Sequence, residues 1–163
     1  MNDVEIQYTN YVPENIIGEL DNKIKTVIEF FPELWDNTIK VGHTSTDIGR
    51  YISLNEGEGI TYTRLYKGVS LHTIAHEFMH RVQHIDDDLP SGERPCELWT
   101  LARDPSILDE PPMAYLSVPT KIKNDWERWR FKVHKLAKEA IEERENGRRC
   151  YIKWFEDGLV ELI

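Results

Sequence analysis

The chain has 163 residues, with 20 Lys plus Arg against 29 Asp plus Glu and a net charge of -9. A domain of this length buries roughly two thirds of the surface its unfolded chain exposes, so it needs neither disulfide nor metal simply to fold. The acidic balance argues against nucleic-acid or anionic-membrane partners, and no apolar run approaches the roughly 18 residues of a membrane span.

The chain reads as one domain, 1–163, without repeats or low-complexity linkers. After a short opening segment, Pro13 precedes an amphipathic helix whose apolar stripe is Ile16, Ile17, Leu20, Ile24, Val27, Ile28 and Phe31, stopped by Pro32. Three runs rich in β-branched and aromatic residues follow, at 38–41, 50–54 and 59–66, with Gly-containing turns between them. They predict a small, mostly antiparallel sheet of about three strands. From Ser70 to Ile85 the helical period returns through Leu71, Ile74, Ala75, Phe78, Met79 and Val82. Pro95 then opens a short helix limited by Pro105, and residues 104–119, with four prolines, read as a loop or lid. Ile122, Trp126, Trp129, Val133, Leu136 and Ala140 form a heptad-like stripe on the longest helix, 120–147. The remainder reads as a final strand or strand pair. The fold class expected is α+β.

Cys96 and Cys150 are too few for a disulfide framework and fit a reducing compartment. The first residues lack the basic and apolar regions of a signal peptide, so the expected location is cytoplasmic.

Chemistry concentrates in His76-Glu77-Phe78-Met79-His80. Histidines at i and i+4 stand on one helical face, where both can reach a single ion at the roughly 2.0–2.1 Å of a Zn–N bond. Glu77 is rotated about 100° from His76, beside the ion rather than on it, where a general base belongs. A shuffled chain of this composition would contain the motif roughly 0.02 times, so chance is a poor explanation.

Catalytic zinc takes three protein ligands and keeps one position open. His84 continues the row of histidines, but one turn further along it is displaced about 6 Å from His80. Asp86, Asp87 and Asp88 sit at a helix end that disfavours negative charge, and read as a solvated turn. Glu97 lies among Leu98, Trp99, Leu101 and Ala102 on the next helix, where a carboxylate needs a reason. Zinc ligation supplies one; a surface-facing glutamate is the alternative. Cys96 beside it could cap the fourth zinc position, but adjacent helical residues point about 100° apart, which favours a buried structural cysteine.

His76-Glu77-Phe78-Met79-His80, followed 17 residues later by Glu97, resembles the gluzincin branch of zinc metallopeptidases. The metzincin pattern fails, because Gln83 and Asp86 stand where its glycine and third histidine would be. The element order also resembles the compact minigluzincins and the core of ImmA/IrrE-like proteins. The specific match covers residues 70–102.

That resemblance implies a zincin-like fold and a metallopeptidase binding one Zn2+ through His76, His80 and Glu97, with Glu77 activating the zinc-bound water. It further implies an edge strand that pairs with extended substrate, for which Thr61, Tyr62 and Thr63 are candidates. Tyr115, His134 and Tyr151 are candidate transition-state donors. Thermolysin-like members place an acid four residues after the glutamate ligand, and here that position is Leu101. The histidines must then be oriented by a backbone carbonyl or another group such as Asp104. Minigluzincins can be latent through their chain ends, a role open to the segment 154–163.

Two further readings use the same residues: a zinc-holding, non-catalytic or latent protein acting through protein contacts, and an interaction module self-associating through the 120–147 helix. Charge separates along the chain: residues 86–110 carry 8 acidic and 2 basic side chains, residues 119–153 carry 11 basic and 6 acidic. The acidic block surrounds Glu97, and would favour a cation and basic or extended peptides.

Overall fold

A computed structural model of the chain describes residues 4–45, 50–51, 59–112 and 114–163. The predicted strand residues 52–54, and the turn up to 58, lie outside the described residues. The chain divides into two compact units, Met1–Leu89 and Pro90–Ile163.

The first unit is α+β. Strand β1 (Glu5–Tyr8) leads into helix α1 (Glu14–Ile28), then β2 (Thr38–His43), β3 (Arg50–Tyr51), β4 (Ile60–Leu65) and helix α2 (Leu71–Ile85). Sheet order is β1-β2-β4-β3. The expected antiparallel sheet is corrected: β1 and β2 are parallel, as are β2 and β4, and only the β3–β4 pair is antiparallel. The reason lies in the connections. A tight turn reverses a chain, whereas a helix between two strands returns it in its original direction, and α1 is such a crossover between β1 and β2. β1 escaped the sequence reading because it has four residues and neither face is fully buried.

β4 is not an edge strand. β2 pairs with it over its whole length, from Thr38↔Ile60 to His43↔Leu65, while β3 occupies the other side at Thr63 and Arg64. Thr61 and Thr63 are fully buried, and Thr61 Oγ1 donates to Asn37 Oδ1 at 3.3 Å. Tyr62 lies on the opposite face of the strand, half-buried, with its hydroxyl over Gly42; a Cβ there would come within 2.5 Å of it. These residues build the sheet, and a substrate strand cannot add at Thr63.

α1 and α2 pack together around Phe31 and Phe78, whose rings meet edge to face at 5.8 Å. Lys23 on α1 donates to the Val69 carbonyl at 2.6 Å, which fixes the chain just before α2 begins.

The second unit is helical: α3 (Glu93–Arg103), α4 (Thr120–Asn124), α5 (Trp126–Glu145) and α6 (Tyr151–Glu161). Two expectations change. The long helix is interrupted at Asp125, whose backbone leaves the helical region (φ -129, ψ 48). The end of the chain is a helix rather than strands. Tyr151, Phe155 and Leu159, spaced by four, form its buried stripe, and its Gly158 lies so close to α5 that a Cβ would meet Leu136 at 3.0 Å.

Trp126 and Trp129 are 6% and 4% exposed, and the Trp126 indole donates to the Leu108 carbonyl at 2.8 Å. The stripe is therefore core, and association through these two tryptophans would require that packing to be undone. Trp129→Glu buries a carboxylate and removes a large aromatic side chain, two changes that each remove several kcal/mol of stability. The expected outcome is loss of the cooperative unfolding transition of this unit by circular dichroism. A well-folded Trp129→Glu protein would show that the stripe is dispensable to the core.

Among the described residues, no helix is long and apolar enough to cross a membrane.

Candidate metal centre

α2 begins with Ser70, whose hydroxyl accepts from the Thr73 amide at 2.9 Å, one of the donors every helix start leaves unpaired. Ile74, Ala75, Phe78, Met79 and Val82 are essentially fully buried and hold α2 against α1 and the sheet. The register of that apolar face decides where the polar residues go. His76 and Glu77 are 7% and 6% exposed, and His80 is half-buried. The two imidazole rings stand edge to face with centroids 4.8 Å apart, and a ring nitrogen of each lies within 4.8 Å of one on the other. Two imidazoles on successive turns with a carboxylate next to the first form a donor set that suits zinc.

The row extends further than the motif. His72 lies one turn before His76 and is 4% exposed, while His84, one turn after His80, is exposed. Burial thus falls along the row towards its C-terminal end. His72 was readable at i-4 but masked by the apolar residues around it. The Nδ1 atom of His80 lies 3.1 Å from Oε1 of Gln83, a contact the sequence reading missed although residues three apart on a helix are neighbours. Asp86, Asp87 and Asp88 are exposed, and Asp86 Oδ1 accepts from the Asp88 amide at 3.0 Å, as a solvated turn does.

In the second unit, α3 starts after Gly92, whose φ of 102° is the left-handed conformation glycine tolerates. Six successive residues, Cys96 to Leu101, are buried. A helix buried on every side has no bland surface position, and Glu97 is 3% exposed. The surface-facing reading of Glu97 is therefore excluded. Cys96 is buried and Cys150 exposed, and neither is part of a disulfide.

The Leu101 carbonyl, one turn beyond Glu97, is 2.9 Å from Nδ1 of His134, so His134 is held against the last turn of α3. Asp104 caps the turn that follows, accepting from the backbone and hydroxyl of Ser106 at 2.8 and 2.5 Å. Of the candidate donors, Tyr115 is 41% exposed, His134 is half-buried, and Tyr151 is buried with its ring edge to face with Trp99 at 5.8 Å.

Burial pushes the Tyr151 hydroxyl above its ordinary value of 10.0, partly offset by the nearby Arg144 and Arg94. Burial also raises Tyr8, helped by the adjacent Asp21 carboxylate. A pKa raised in the folded state means that the unfolded chain releases its proton first. The stabilisation is complete below the unfolded value and is lost as pH rises through the folded one. Stability is therefore expected to fall above pH 10, less steeply in Tyr151→Phe. An identical alkaline unfolding profile for Tyr151→Phe and wild type would contradict this.

Compared with family models, curated proteins and solved structures, the chain finds no match in any of the three.

Proposed function

We propose that this chain is a zinc metallopeptidase of the gluzincin type with a zincin-like arrangement, in which His76, His80 and Glu97 hold one Zn2+ and Glu77 is the general base. One observation supports the reading above the others: a capped, well-packed helix carries His76 and His80 with their rings 4.8 Å apart and a buried Glu77 between them in sequence. Glu97 is a buried carboxylate on a helix among apolar neighbours, and carboxylates are among the donors zinc takes.

Zinc held by these side chains would supply Lewis acidity, polarising a substrate carbonyl and making water a better nucleophile near neutral pH. Glu77 accepts the proton as the new C–O bond forms and delivers it to the nitrogen as the C–N bond breaks, so a neutral amine leaves. Its burial suits both steps, because a screened carboxylate exchanges its proton with the substrate rather than with bulk water. The acidic block at 86–110 favours basic or extended peptides over acidic ones. Two cysteines outside any disulfide suit a cytoplasmic setting.

Metal analysis of the purified chain, with casein as a general substrate, tests the reading. About one zinc per chain and zinc-dependent release of peptides are expected. Zinc without turnover would favour the non-catalytic or latent alternative, and no zinc would remove both.

A further inference from the structure

We infer that Gln83 is a positioning residue for the proposed zinc site, holding His80 in the tautomer that leaves Nε2 available to ligate. The inference rests on the zinc reading above but concerns a residue outside the motif.

An imidazole binds a metal through a nitrogen lone pair, so the proton of the neutral ring must sit on the other nitrogen. Which nitrogen carries it is set by what the ring hydrogen-bonds to. Nδ1 of His80 faces Oε1 of Gln83 at 3.1 Å. An amide oxygen only accepts, so this bond requires the proton on Nδ1 and leaves the Nε2 lone pair available.

Position 83 suits the task because it is three residues after His80 on the same 15-residue helix, so both side chains are carried by one rigid element. Gln83 is half-buried, which limits competition from water for the ring proton. It also answers the absence of an acid at Leu101 for this histidine: the orienting group comes from the helix of the ligand itself.

The test is zinc affinity, measured by competition with a chromophoric chelator on full-length wild type, Gln83→Leu, Gln83→Ala and Gln83→Glu, with circular dichroism of each apo protein. Gln83→Leu and Gln83→Ala remove the acceptor and are expected to weaken zinc binding by about 10- to 100-fold. Gln83→Glu keeps an oxygen that can only accept, and is expected to bind zinc at least as tightly as wild type. Wild-type affinity in both Gln83→Leu and Gln83→Ala overturns the inference and leaves the zinc site standing. So does a Gln83→Glu protein as weak as Gln83→Leu, since a purely structural glutamine would not be replaced by its acceptor alone. A wild-type chain that takes up no zinc overturns the inference together with the reading beneath it.

Discussion

Glu77→Gln is expected to bind zinc at the wild-type ratio of about one per chain, while casein hydrolysis falls by at least about a hundredfold. The amide matches the carboxylate in size, so packing around the 6% exposed side chain should survive. What it lacks is basicity: it cannot take a proton during attack and so has none to return to the leaving amine. Because one group performs both transfers in this mechanism, losing it impairs bond formation and bond cleavage together. Metal content and peptide release must be measured on the same preparation, since loss of zinc would imitate loss of the base. Activity within tenfold of wild type would remove Glu77 from proton transfer.

The second large effect concerns the ligands. His76→Ala and Glu97→Ala each reduce the proposed three donors to two, and zinc affinity should fall by more than the roughly 10- to 100-fold typical of losing an orienting partner. Both side chains are buried, at 7% and 3% exposure, so circular dichroism of the apo proteins separates ligand loss from unfolding. The two variants carry different information. His76 belongs to a motif with its own internal geometry, whereas Glu97 is tied to the site by residue type, spacing and apolar company. A folded Glu97→Ala protein with wild-type zinc affinity would place the third ligand elsewhere and leave the HExxH helix intact.

The legible part of the site was its local part. His76, Glu77 and His80 are fixed relative to one another by helical geometry alone, and the apolar positions Ile74, Phe78 and Val82 showed which face would pack. The same local logic correctly read Asp86–Asp88 as a solvated turn. Gln83 was equally local and could have been found by asking what lies three residues from each histidine. The burial of Glu97 was expected from its neighbours. What placed His134 against the Leu101 carbonyl was not, because 33 residues separate them.

The sequence by itself determined the helices that carry the candidate site, since their periodicity of 3.6 depends only on nearby residues. It also determined that the chain would be α+β. Only the tertiary structure decided strand direction and order. β1, β2 and β4 contain no residue that dictates a parallel neighbour; the α1 crossover sets the direction of β1 against β2, and pairing with both β2 and β3 puts β4 inside the sheet, where Thr63 has partners on both sides. The tertiary structure likewise decided the fate of the last segment, where the spacing Tyr151, Phe155 and Leu159 became a helix stripe once α5 offered Leu136 for Gly158 to pack against. Short apolar runs satisfy strand and helix periods alike, and the surface that buries them makes the choice.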